Sequence, residues 1–238
     1  MKLDILAFGA HPDDVELSCA GTLAKEVSLG KTIGLVDLTR GELGTRGTAA
    51  IRKQEATDAA KVLGAKVREQ LDLGDGTFEI NMDTITACIR VLRKYRPEVV
   101  FANAIEDRHP DHARGSELVS RACFMAGLEK IETEWEGEKQ TKWRPKAVYH
   151  YIQWKDLKPD LILDISGHMD TKIASVAAYK SQFYDPDSKE DSTPISSKNF
   201  MDSIKYRAAN LGRLIGTDHA EGFTVERTPA VDRVWDLI

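Results

Sequence analysis

Hydrophobic and polar positions divide this chain into two textures. Up to residue 128, short apolar runs alternate with longer segments whose apolar positions recur every three to four residues. Runs 4–9 (DILAFG), 32–38 and 98–102 (EVVFA) are apolar at successive positions and predict strands buried on both faces. Run 67–73 predicts a weaker strand. Segments 17–29, 50–63, 81–95 and 112–128 predict helices, with Gly30, Gly64 and Arg96-Pro97 as stop signals. Beyond them, 129–144 is polar and tryptophan-dotted and predicts an excursion. The pattern then predicts strands at 147–152 and 161–165 and helices at 167–183 and 197–215. This alternation predicts an α/β fold: a Rossmann-like, mostly parallel sheet with helices on both faces and a C-terminal extension. The chain reads as one domain over 1–238, with 1–128 as its core and 129–238 completing the sheet and the site.

In the common nucleotide-fold order, strands 1 and 4 are neighbours where the winding reverses. Ligands bind outside the carboxyl ends of strands at that point. Two polar runs leave those two strands: Phe8-Gly9-Ala10-His11-Pro12-Asp13-Asp14 and Glu106-Asp107-Arg108-His109-Pro110-Asp111-His112. A lone His-Pro-Asp is ordinarily a solvated turn. Two of them at the mouths of neighbouring strands point instead to a divalent cation, which cancels carboxylate repulsion and takes imidazole and carboxylate together. The predicted ligands are His11, Asp14 and His112, two imidazoles and one acid, which leave a position open for chemistry. Asp13 is then placed to act as general base and His109 as acid or oxyanion partner, with Asp111 orienting the His109 ring. Zn²⁺ suits this set, and Fe²⁺ is the alternative. A nucleotide site is disfavoured, because Gly9-Ala10-His11 lacks the second glycine that admits a pyrophosphate, whatever Asp37 suggests at the end of strand 2.

AHPDD after the first strand with HPDH about a hundred residues on resembles the zinc-dependent N-acetylglucosaminyl deacetylase family, the PIG-L or LmbE-like group. DLTRGELGTRGT (37–48), RKQEA (52–56), YKSQFY (179–184) and AEGFTVER (220–227) are similar to its branch that deacetylates N-acetylglucosaminyl-malate in bacillithiol biosynthesis. The resemblance implies an acetate-releasing amide hydrolase with the same His11, Asp14, His112 metal set and with Asp13, His109 and Asp111 as its catalytic groups. It further implies substrate contacts from Arg52 and Tyr184, and a homo-oligomer, often a hexamer. Malate's two carboxylates would suit forked guanidinium donors, for which Arg108 and, less strongly, Arg46 are candidates. Two readings from other classes compete: a 2-His-1-carboxylate iron oxygenase, which the strand–helix alternation disfavours, and a sugar-binding module without catalysis.

Composition narrows the classes further. The 238 residues carry a net charge of −5, with 42% hydrophobic and 30% charged positions. That mild acidity supplies no basic stripe for nucleic acid. No apolar stretch approaches the roughly 20 residues that span a bilayer, and Ile5–Phe8 is too short for a secretory core. Cys19, Cys88 and Cys123 fall in apolar helical patterns without a CxxC spacing and read as reduced, buried hydrophobes. A cytoplasmic protein acting on a small amino sugar is expected, with neither nucleic acid nor membrane as partner.

Overall fold

The computed structural model describes residues 1–237. The first half runs β1 (Ile5–Gly9), α1 (Asp14–Ser28), β2 (Ile33–Asp37), α2 (Ala49–Val62), β3 (Val67–Gln70), α3 (Met82–Tyr95), β4 (Val99–Ala102) and α4 (Pro110–Ala126). A small hairpin, β5 (Glu134–Trp135) and β6 (Glu138–Lys139), occupies the polar excursion. The chain continues through β7 (Ala147–Tyr151), β8 (Leu161–Asp164), α5 (Met169–Ala177), α6 (Lys198–Ile215) and β9 (Ala220–Val225). Seven strands form one sheet in the order β3-β2-β1-β4-β7-β9-β8.

The period-2 geometry of a strand explains why the apolar runs are continuous. Leu6 and Phe8 point to one face, where α3 and α4 pack through Ile85, Ile89, Leu118 and Ala122. Ile5 and Ala7 point to the other, where α1 packs through Val15, Cys19 and Leu23. Both faces are covered, so both sets must be apolar. β1 and β4 are parallel neighbours, with Ile5 opposite Val99 and Ala7 opposite Phe101, so the loops that leave them open at the same end of the sheet.

The structure departs from expectation in three places. Residues 220–225, not predicted as a strand, form β9 and run antiparallel to both β7 and β8. Glu221 and Gly222 interrupt the apolar pattern there, because the Glu221 carboxylate is buried against Lys172 instead of facing solvent. Helices α1 and α4 begin at Asp14 and Pro110, earlier than predicted, because their first turns are made of the polar site residues. The predicted helix 167–183 ends at Ala177, yet Tyr179 and Phe183 still bury their rings in the same cluster. All three cysteines are free and buried. Among the described residues, no helix is long and apolar enough to cross a membrane.

Candidate functional site

Asp14 is the first residue of α1 and lies at the centre of the site. Its Oδ2 accepts from the backbone N–H of His11 (3.0 Å) and from Asn103 Nδ2 (2.9 Å), and its Oδ1 accepts from Gln153 Nε2 (3.0 Å). Two imidazoles approach the same carboxylate. His112 Nε2 is 3.1 Å from Oδ1 and His11 Nδ1 is 3.6 Å from Oδ2. The opposite nitrogen of each ring meets another acid. His11 Nε2 lies 3.0 Å from Asp75 and 3.3 Å from Asp111, and His112 Nδ1 lies 2.5 Å from Asp107. An inner nitrogen aimed at one spot with an outer nitrogen held by a carboxylate is how proteins orient histidine for metal binding. Nitrogens of His11, His109 and His112 all come within 4.8 Å of one another, as do ligand atoms of His11, Asp75 and Asp111. Asp14 belongs to neither group, but its carboxylate lies 3.1 Å from His112 Nε2 and 3.6 Å from His11 Nδ1, so His11, Asp14 and His112 form a further set that could hold a cation.

The electrostatics agree with that donor set. Burial opposes charge on Asp14, but the flanking His112 and His11 outweigh it and hold its pKa well below the usual carboxylate range. Burial also pulls His112 and His11 down, and their carboxylate partners overcome it, raising His112 to about 9 and His11 well above its ordinary value. These nitrogens sit in a field built for positive charge, which a divalent cation bound to unprotonated imidazoles supplies equally well.

Asp13 is the N-cap of α1, with φ 108° and ψ −23°, a left-handed conformation that costs a non-glycine residue about 1–3 kcal/mol. Arg52 over-determines it. The Arg52 guanidinium donates to Asp13 Oδ2 (3.1 Å), to the Pro12 carbonyl (2.5 Å) and to the Gly41 carbonyl (3.0 Å). Burial pushes the Asp13 pKa up, partly offset by Arg52, to about 7. His109, half-buried, is the N-cap of α4, and burial with the neighbouring His11 and His112 lowers its pKa. Both residues line one cavity of about 320 Å³, together with His11, Asp14 and His112.

Two expectations, for Asp111 and Tyr184, need correction. Asp111 does not orient the His109 ring through its carboxylate. Its backbone N–H donates to His109 Nδ1 (3.3 Å), while the carboxylate accepts from Gly76 N–H (2.8 Å) and from Arg114 (2.8 Å) and faces His11. The cause is the start of α4 at Pro110, which turns the Asp111 side chain inward to complete burial. Arg52 lines the cavity; its guanidinium bonds Asp13, Pro12 and Gly41, and its Nε–H has no partner among the described residues. Tyr184 is 43% exposed and does not line the cavity, since the chain has left the helix before it. Arg108 does line the cavity, with its guanidinium 4.5 Å above the ring of Trp154. Arg46 pairs with Glu190 (3.1 Å), and Asp37 pairs with Arg68 (2.7 Å). The sequence reading missed Asp75, Asn103 and Gln153. Asp107 stood in the second polar run, five residues before His112, a signal that could have found it.

A family model described as GlcNAc-PI de-N-acetylase (PIG-L) matches residues 6–123. Diacetylchitobiose deacetylase of Thermococcus kodakarensis is 28% identical over 75% of this chain and 70% of its own length. A Pseudomonas putida protein named 4-oxalmesaconate hydratase is 29% identical over 74% of this chain and 73% of its own length. A probable N-acetyl-α-D-glucosaminyl L-malate deacetylase of Bacillus subtilis is 26% identical over 76% and 84%. Among solved structures, the conserved protein TT1542 of Thermus thermophilus superposes with a TM-score of 0.86 at 34% identity, covering 98% of both chains.

Proposed function

The chain belongs to the GlcNAc-PI de-N-acetylase (PIG-L) family, and from that premise we propose that it is a metal-dependent N-deacetylase of an N-acetylglucosaminyl conjugate. The observation that carries this reading is the double shell around Asp14: two imidazoles aimed at it, each backed by a carboxylate, with Asp13 and His109 in the same cavity.

His11, Asp14 and His112 would hold the cation, with Zn²⁺ the first candidate and Fe²⁺ the second. When bound, it supplies Lewis-acid polarisation of the scissile carbonyl and acidifies a water. The chain's own groups do the rest. Asp13 accepts a proton from the attacking water, and a pKa near neutrality suits that task. Arg52 holds the Asp13 carboxylate and its loop in place. The His109 ring donates to the developing oxyanion or to the departing nitrogen. Water's oxygen joins the acyl carbon, the C–N bond breaks, and the protons go to the amine, giving acetate and a free glucosamine nitrogen.

Malate as the aglycone is the finer part of the proposal. It is supported by the branch-like strings in the sequence, by Arg108 on the cavity wall and by the Bacillus subtilis relative. The hydratase among the relatives favours a second reading, in which the same water-activating set adds water to a carbon–carbon double bond. One experiment separates them: acetate release from N-acetylglucosaminyl-malate and from free N-acetylglucosamine, with and without chelator, beside hydration of an unsaturated dicarboxylate. Chelator-sensitive acetate release, faster for the malate conjugate, is expected. Hydration without acetate release would overturn the deacetylase reading.

A further inference from the structure

The cavity extends well beyond what an acetyl group needs. From Asp14 it descends along one face of α1, past Leu17 and Ser18, the i+3 and i+4 positions below it. Its opposite wall is a stripe of α6, Ile204, Ala208 and Leu211, again at helical spacing, and Ile152 closes the side. Its floor is the Lys172–Glu221 ion pair at 2.5 Å, with both side chains at most 4% exposed. The height of that floor is fixed by backbone, because the Glu221 carboxylate accepts from the N–H groups of Gly21 (3.0 Å) and Thr22 (2.7 Å). Gly21 is seven residues beyond Asp14, which at 1.5 Å of rise per residue places the floor about 10 Å below the site.

The two ends of this cavity differ in chemistry. At the other end stand Arg108 and His109, groups suited to a hydroxylated sugar and a charged aglycone. The descending lobe is mostly apolar, with Leu17, Ile152, Ile204, Ala208 and Leu211 on its walls and Ser18, Ser203 and Arg207 as its polar interruptions before the floor. A sugar ring placed there would lose water from its hydroxyls with little return. An aliphatic chain would gain by leaving water.

We propose that this lobe is an acyl subsite, and that the protein removes N-acyl groups longer than acetyl from glucosamine, up to about six to eight carbons, the length an extended chain of about 1.3 Å per carbon needs to reach the floor. This inference rests on the deacylase reading of the site and extends it to the substrate's acyl class. Lys172 and Glu221 set the upper limit, because a longer chain would have to press methylenes against a buried ion pair. The chemistry is the amide hydrolysis already described, with a longer carboxylic acid as the product.

The test is a chain-length series of N-acetyl-, N-butyryl-, N-hexanoyl- and N-dodecanoyl-glucosamine, with the freed amine measured for each. We expect kcat/KM for hexanoyl within tenfold of acetyl or above it, and a fall of at least tenfold on going to dodecanoyl. Leu211→Phe and Ala208→Phe, each checked for folding by circular dichroism and melting, should lower the hexanoyl-to-acetyl ratio of kcat/KM at least tenfold. Ala208 is tightly packed, and Leu211, at the partly buried edge, is the safer of the two. Acetyl cleavage with no hexanoyl cleavage by the unaltered protein overturns the acyl subsite and leaves the deacetylase reading standing. Hexanoyl cleavage whose ratio to acetyl is unmoved in a folded variant overturns the assignment to this lobe. Release of amine from none of the series overturns the deacylase reading and this inference with it.

Discussion

The β1–α1 and β4–α4 loops spell nearly the same word, HPDD at 11–14 and HPDH at 109–112, yet they use its letters differently. In the first loop the helix begins after the tripeptide, at Asp14, and Asp13 is the N-cap. In the second it begins inside the tripeptide, at Pro110, and His109 is the N-cap. The register relative to the helix is shifted by two residues. Equal letters therefore take unequal positions: Asp13 faces the cavity, whereas Asp111 turns inward against His11. Unequal letters take equal positions: Asp13 and His109, the two proposed proton carriers, are both N-caps. A helix N-terminus points unpaired N–H groups and positive potential towards the cleft. Position relative to the cap, more than the motif itself, assigns the role.

The strongest way to break this comparison is to remove the group on which both loops converge. Asp14→Ala is expected to cost beyond about 10³-fold in kcat/KM through loss of the cation. Metal content by mass spectrometry and acetate release check it together. A variant that stays active with bound metal would show that Asp14 is not the shared ligand. Next come the two caps. Asp13→Ala and His109→Ala are each expected to lower kcat about 10²–10³-fold while metal content stays near that of the unaltered protein. Should either lose its metal, that residue would move from proton carrier to ligand.

A smaller effect tests the carboxylates behind the rings. Asp111→Asn acts on His11 and Asp107→Asn on His112, so each should weaken metal affinity about 10–100-fold, read by competition with a chromophoric chelator. If Asp111 served His109 instead, its variant would lower kcat and leave affinity untouched.

Much of this site was legible because two of its determinants are local. Continuous apolar runs mark buried parallel strands, and polar clusters at their carboxyl ends mark the crevice. His11, Asp13, Asp14, His109 and His112 all fall in such clusters, and the cavity gathers all five. What stayed hidden depends on distant partners. Asp75 belongs to a turn after β3 whose sequence, Gly74-Asp75-Gly76, reads as an ordinary loop, and only folding brings it 3.0 Å from His11. Arg52 was expected to contact substrate because the family resemblance implied it. Its true geometry, around the Pro12 carbonyl and Asp13, depends on how α2 packs. Strand β9 was masked by Glu221, whose charge is neutralised by a lysine 49 positions earlier in the chain.

The finest test separates the two caps by backbone conformation alone. Asp13 sits at φ 108°, where any side chain is strained, and His109 sits at φ −81°, where none is. Glycine populates the left-handed region freely, and alanine does not. Replacing Asp13 with either residue removes the carboxylate and the Arg52 ion pair equally, so their difference isolates the strain. Asp13→Gly is expected to be more stable than Asp13→Ala by about 1 kcal/mol, seen as a melting temperature higher by about 2–4 °C in a chain of this size. At His109 the advantage of glycine should shrink, because it relieves no strain there and keeps only its modest preference over alanine at an N-cap, set against the disorder it adds to the unfolded chain. Differential scanning calorimetry on the four variants decides it. A glycine advantage of equal size at both positions would mean that the Asp13 conformation is not a stored cost. The clamp by Arg52 would then be simple ion pairing, with no strained carboxylate for it to hold in place.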